Sequence, residues 1–280
     1  MNTYDVAIAY RIYPKFSRNA YRLKEWDKYK LSEVCLKSFL RCLSDVNFKF
    51  YAILDGCPQK YIDLFIDLIP GDNLELIQSP GIGNAATFLE QIRVLLSQND
   101  SEMVYFAEDD YFYIEDRFLE MLEIIINRKD VDFVTPYDHP DYYQTGYEPD
   151  KPDYLINLHN YKSKLIFEKR HWRNVSSTCC TFLTTKSLLN KTSQYFKLYP
   201  KLSDYGMWLT LTRLRMMHFD RLMTLKMYTF SSKYLLFGKS FKLWSPIPSI
   251  ATHMANSYFS PGVDWLTLLD QFSANEKLMK

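Results

Sequence analysis

Within its first 126 residues this chain alternates four times between a short, almost wholly apolar run and a stretch with apolar residues at helical spacing. The runs are residues 5–10, 48–54, 74–78 and 103–107. After the first of them Leu36, Phe39, Leu40 and Leu43 fall at i, i+3, i+4 and i+7, one face of a helix. Ile62, Phe65, Ile66 and Ile69 repeat the spacing until Pro70-Gly71 stops it. Phe88, Ile92 and Leu95 mark a third helix, and Phe118, Met121, Leu122 and Ile125 a fourth. Strands joined by helical crossovers must lie parallel, and apolar runs that do not alternate suit a sheet covered on both faces. The pattern therefore predicts an α/β fold, a mostly parallel, Rossmann-like sheet sandwiched by helices. Ligands in such sheets bind beyond the carboxyl ends of the strands. The residues to interrogate are then Arg11, Asp55, residues 80–84, and the triplet Glu108-Asp109-Asp110.

From residue 132 the pattern changes. Residues 132–137 read as a strand, and 138–153 as a binding loop too rich in Tyr, Asp, Pro and His to be core. Residues 175–185 predict a further strand, and Trp208, Leu211 and Leu214 a helix that opens near Ser203-Asp204. Residues 244–260 show no clear period, and Trp265, Leu268, Leu269 and Phe272 close the chain with an amphipathic helix. With no internal repeat or linker, the expectation is a single domain over 1–280, with a nucleotide-binding half (1–131) and an acceptor-binding half (132–280).

Composition removes several functions. The 34 Lys and Arg against 33 Asp and Glu leave a formal charge of +1, so no global field recruits nucleic acid. Only 8 glycines but 22 Tyr and 19 Phe predict a large aromatic core, with glycine kept for places where the backbone needs it. A membrane span needs about 20 mostly apolar residues, and the best candidates, 118–126 and 221–237, are too short or interrupted by Lys and Arg. Residues 1–14 lack the basic start of a secretory leader. Five cysteines without a C-x-x-C pair suit a reducing compartment, so a cytoplasmic location is expected. The basic and aromatic residues of 226–242 form either a solvated face or a peripheral membrane contact.

Three adjacent acids at a strand end repel one another unless a cation or solvent relieves them, and hard oxygen ligands suit Mg²⁺ or Mn²⁺ on a phosphate. The same triplet also fits a solvated turn opening a helix. Asp55 can accept hydrogen bonds from a base or ribose, although Asp55-Gly56 is equally a turn signal. Ser79-Pro80-Gly81-Ile82-Gly83-Asn84 holds two of the eight glycines before a helix, an arrangement that offers backbone N–H groups to a phosphate.

Taken together, Ala9-Tyr10-Arg11, Asp55, Gly81 to Asn84 and Tyr105-Phe106-Ala107-Glu108-Asp109-Asp110 resemble the GT-A glycosyltransferases, family 2-like members especially, over roughly the first 140 residues. The resemblance implies a D-x-D-type acidic motif that holds a divalent cation, Mn²⁺ or Mg²⁺, on the diphosphate of a UDP- or GDP-sugar. Asp110 would ligate the metal, Glu108 and Asp109 would lie near the ribose or metal shell, and Arg11, Asp55, Gly81 and Asn84 would belong to the nucleotide pocket. It further implies that the second half binds a glycan, lipid-linked or other hydroxyl acceptor and supplies a base, here Asp204, with Asp138 and Asp141 in reserve. Ser203 or Asp204 would serve equally as a helix N-cap. His253 corresponds to a late-chain third metal ligand.

Two other functions compete with inverting sugar transfer. A nucleotidyltransferase on a related fold would carry a Gly-rich loop after the first strand, whereas Arg11-Ile12-Tyr13-Pro14 has no glycine. A non-catalytic carbohydrate-binding protein could stack sugars on Tyr142, Tyr143 and Tyr147, but has no need of the acidic triplet.

Overall fold

A computed structural model of the chain describes residues 3–16, 26–143, 165–167, 169–214, 221–255 and 258–278. The first half follows the predicted alternation: β1 (Val6–Ile12), α1 (Lys28–Cys42), β2 (Phe48–Asp55), α2 (Gln59–Leu68), β3 (Leu74–Ser79), α3 (Asn84–Ser97) and β4 (Met103–Glu108). Then come β5 (Tyr111–Tyr113), α4 (Phe118–Asn127), β6 (Phe133–Val134), β7 (Leu165–Phe167), β8 (His171–Val175) and β9 (Phe182–Thr185). The chain ends with α5 (Lys186–Phe196), α6 (Tyr199–Thr212), α7 (Arg221–Phe237), β10 (Leu243–Ile247), β11 (Ala251–His253) and α8 (Trp265–Leu278).

Among the described residues nine strands share one sheet in the order β3-β2-β1-β4-β9-β6-β10-β8-β7, and β11 pairs with β5 in a separate two-stranded sheet. β3, β2, β1 and β4 are mutually parallel. Following the pairings outward, only β9 and β8 run against that direction. The fold is α/β with a mostly parallel central sheet, and that sheet continues through both halves of the sequence.

Period-2 alternation along β1 feeds two cores. Ile8 and Tyr10 join Phe39 of α1 and Phe65 of α2, while Ala7 and Ala9 join Phe88 and Ile92 of α3 on the opposite face. The aromatic excess goes here: the Tyr10 ring lies 6.1 Å from Phe39, 5.5 Å from Phe50 and 5.7 Å from Phe65. On the other face Phe106 stacks on Phe182 at 4.4 Å. Burial of each such side chain is worth about 1.5–3 kcal/mol, which fixes the strand ends that carry Arg11, Asp55 and Glu108.

The second half departs from the prediction in three places. Of residues 132–137 only Phe133–Val134 pair as β6, because Pro136 has no N–H to donate and its carbonyl instead accepts from Ile250 and Ala251. Residues 175–185 do not form one strand: between β8 and β9 the hydroxyls and carbonyls of 176–178 are drawn into bonds with Thr212, Tyr142 and Thr135. The aperiodic 244–260 stretch contains most of β10 and all of β11. Among the described residues no helix is long and apolar enough to cross a membrane. Tyr147 and most of the predicted binding loop lie outside the described residues.

Candidate active site

From β1 the chain moves outward to β2 and β3, then returns to place β4 on the other side of β1, with Arg11 in register with Glu108. That reversal is a topological switch point, where an open α/β sheet leaves a crevice beyond its strand ends. The crevice is here a cleft of about 340 Å³, lined by the carboxyl ends of β1, β2 and β4 and by the first turn of α3. The volume suits a small molecule.

The acidic triplet is neutralised unequally. Glu108 accepts the Arg11 guanidinium at 2.5 Å and the Thr181 hydroxyl at 3.0 Å. Arg11 also donates to the Asn84 backbone carbonyl and side-chain oxygen, at 2.8 and 2.5 Å. Burial of Arg11 is more than offset by Glu108, so the guanidinium pKa is raised. Asp109 turns the other way, to Lys28 Nζ at 2.7 Å, Ser32 Oγ at 3.1 Å and the Tyr13 N–H at 3.4 Å. Lys28 is buried, yet Asp109 and Asp110 together hold its pKa above the ordinary lysine value.

Among the described residues Asp110 has no Lys or Arg in hydrogen-bond contact. Its Oδ2 meets His253 Nε2 at 3.1 Å, while Oδ1 is buried and has no hydrogen-bond partner among the described residues. His253 Nδ1 is in the same condition. Burial works against the Asp110 charge, but His253 outweighs it and holds the carboxyl well below the usual range; in return Asp110 raises His253, against that residue's own burial. The pair meets because β11 returns late in the chain to lie against β5, with His253 opposite Tyr111. A buried carboxylate oxygen without a donor, beside an imidazole, fits a divalent cation. Among the described residues no group of three or more His, Cys, Asp or Glu surrounds such a position.

Asp55 fastens the loop that borders the cleft. It lies at the cleft and is 2% exposed, but Oδ1 accepts Ser79 Oγ, Gly81 N–H and Ile82 N–H at 3.1, 3.0 and 2.7 Å, and Oδ2 accepts Gly83 N–H at 2.8 Å. The carboxylate thus ties down the loop. The N–H groups of Gly81, Ile82 and Gly83 thus point at Asp55. Gly81 and Gly83 take φ of 92° and 87°, which explains why two scarce glycines sit here. Asn84 begins α3 and bridges Arg11 to the Tyr199 hydroxyl, to which its Nδ2 donates at 2.9 Å.

Asp204 stands where α6 breaks. Helical turns begin at Tyr199, and Ser203 breaks them with φ 56° and ψ −177°, so that a second helical segment opens at the predicted Ser203-Asp204. That conformation costs a non-glycine residue about 1–3 kcal/mol, a strain found most often at functional sites. Asp204 Oδ1 accepts the adjacent Tyr205 N–H at 2.8 Å. Burial raises its pKa, Glu108 adds to the rise, and Arg11 opposes it, which places Asp204 within electrostatic reach of the cleft. Asp138, by contrast, is closed in by Arg173 at 2.8 Å, the Tyr143 hydroxyl and Ser245, and burial lifts it to about 6.

Sequence reasoning missed Lys28, Thr181 and Tyr199. Lys28 carried one usable sign, its place directly after the α1 N-cap Asp27, whose side chain accepts from Lys30 N–H at 2.7 Å. Removal of one partner from a buried ion pair leaves an uncompensated charge and costs about 3–5 kcal/mol. Lys28→Ala should therefore lower unfolding stability by about that amount in denaturant titration, and Asp109→Asn added to it should restore part of the loss. A loss below about 1 kcal/mol would show that the pair behaves as a surface contact.

No family model and no curated protein sequence matches the chain. It is similar to solved structures at low identity. One is S. aureus TarS 1-349 in complex with UDP: 13% identity, TM-score 0.44, 75% of this chain and 54% of that one. The chain thus spans about half the length of that structure. Another is the galactosyltransferase LgtC in complex with donor and acceptor sugar analogs: 12% identity, TM-score 0.37, 68% and 63% of the two chains. A third is the 4-diphosphocytidyl-2C-methyl-D-erythritol synthase from Anaerococcus prevotii: 11% identity, TM-score 0.42, 97% and 96%.

Proposed function

We propose that this protein is a cation-dependent glycosyltransferase of the GT-A type, which moves a sugar from a UDP- or GDP-sugar to an acceptor hydroxyl with inversion. The observation that carries the reading is the division of the triplet: Arg11 and Lys28 satisfy Glu108 and Asp109, and Asp110 keeps a buried oxygen without a partner beside His253. Asp110 and His253 would hold Mn²⁺ or Mg²⁺, which supplies neutralising charge for the departing nucleoside diphosphate. The protein's own residues do the rest. Asp55 fixes the loop 79–83 and so the rim of the nucleotide cleft, while Arg11 and Asn84 tie that rim to α6 through Tyr199. Asp204 takes the proton of the acceptor hydroxyl as it attacks the anomeric carbon, and its raised pKa suits a base. A glycan or lipid-linked hydroxyl is the proposed acceptor and the cytoplasm the proposed location, consistent with five free cysteines. Nucleotidyl transfer is the weaker reading, since the turn after β1 has no glycine.

Thermal melting with nucleotides tests this. UDP or GDP together with Mn²⁺ should stabilise the protein by about 2.7 kcal/mol at a hundredfold excess over Kd, and neither component alone should match the pair. An equal shift without metal, or a response confined to CTP, would contradict sugar transfer.

A further inference from the structure

The near-neutral net charge hides a strong segregation. Residues 186–242 hold eleven Lys and Arg against two acids, Asp204 and Asp220, so this segment carries +9 while the remainder of the chain carries −8. α7, at the centre of this basic stretch, has no acid at all.

The helix is also apolar on both sides. Met227 and Ser231 face inward at 1% exposure, with Ser231 Oγ accepting from Thr210 of α6 at 3.2 Å. Outward, Leu225, Leu236 and Phe237 are 64, 69 and 84% exposed, and Lys226 and Lys233 rise between them on the same face, at helical spacing. Lys201 of α6 joins the edge of this patch, with its ammonium 5.0 Å from the exposed Phe230 ring. Solvent would be met more cheaply by polar side chains, and single exposed leucines need no explanation, but a row of large apolar groups set among cations does.

We propose that the outer face of α7 is a docking surface for an anionic lipid bilayer. The helix lies in the headgroup plane, with Leu225, Leu236 and Phe237 inserted and Lys226 and Lys233 extended to lipid phosphates. The charge pattern selects this occupant. A second copy would set one +9 segment against another, whereas an anionic leaflet attracts each lysine. The proposal does not depend on the chemistry assigned to the cleft, although α7 packs directly on the helix that carries Asp204, so docking would bring the acceptor side near the membrane.

Flotation of the full chain with vesicles tests it. The protein should float with phosphatidylcholine vesicles that contain phosphatidylglycerol, should not float with phosphatidylcholine alone, and should be released as salt is raised. Lys226→Glu with Lys233→Glu should lower partitioning at least about tenfold, and Leu236→Ser with Phe237→Ser should abolish it, both with unchanged melting temperature. The proposal is overturned if the wild-type protein ignores anionic vesicles, if the variants float equally well, or if sedimentation shows a dimer that Phe237→Ser disperses while no vesicle is bound.

Discussion

Asp204→Asn is expected to cut sugar transfer by about 10²–10⁴-fold while donor affinity and melting temperature stay near wild type. Asn caps a helix as well as Asp does, and the side-chain oxygen that accepts Tyr205 N–H is retained. What the amide cannot do is take a proton. The pH dependence has a definite sign: burial and Glu108 raise the Asp204 pKa, so wild-type transfer should fall as pH drops through that raised value, where the carboxyl becomes protonated. The same shift means that ionisation of Asp204 opposes folding, so its stability contribution is fully present below the unfolded-state pKa and lost as pH rises through the folded-state pKa. Asn at 204 should accordingly leave neutral-pH stability unchanged or slightly increased. Wild-type transfer rates in the variant would return Asp204 to the backbone role that its bond to Tyr205 provides.

Asp110→Ala should reduce transfer on the order of 10³-fold, the scale of several kcal/mol of charge stabilisation that a bound cation supplies, and EDTA should do the same to the wild-type enzyme. The fold should survive, because the Asp110 main-chain carbonyl still accepts Met254 N–H at 2.7 Å and the pairing of β5 with β11 is made by backbone. His253 would lose the carboxylate that raises its pKa. If neither treatment alters turnover, the cation has no part in the reaction.

The strand ends were legible because apolar period and chain order alone determine which residues leave a parallel sheet on the same side; Arg11, Asp55 and Glu108 needed nothing more. Their partners were not legible. That Asp55 would accept three backbone N–H groups depends on the path of the loop 79–83, and the loop's two positive-φ glycines announce a turn without saying what it wraps. Lys28 reads as an ordinary helix residue until α1 is seen to deliver it to Asp109. In the second half Pro136, Pro246 and Pro248 disguise short strands whose pairing is long-range, and His253 comes beside Asp110 from 143 residues away. The helix opening read at Ser203-Asp204 coincides with the backbone break, but the positive φ of Ser203 depends on the preceding turns that begin at Tyr199.

Electron paramagnetic resonance of Mn²⁺ is the most direct test of the cleft. With UDP or GDP present, stoichiometric wild-type protein should remove the free-ion signal, and Asp110→Ala should leave it. The account is contradicted if wild-type protein leaves the free Mn²⁺ signal intact with every nucleoside diphosphate, or if Asp110→Ala removes it as fully as wild type.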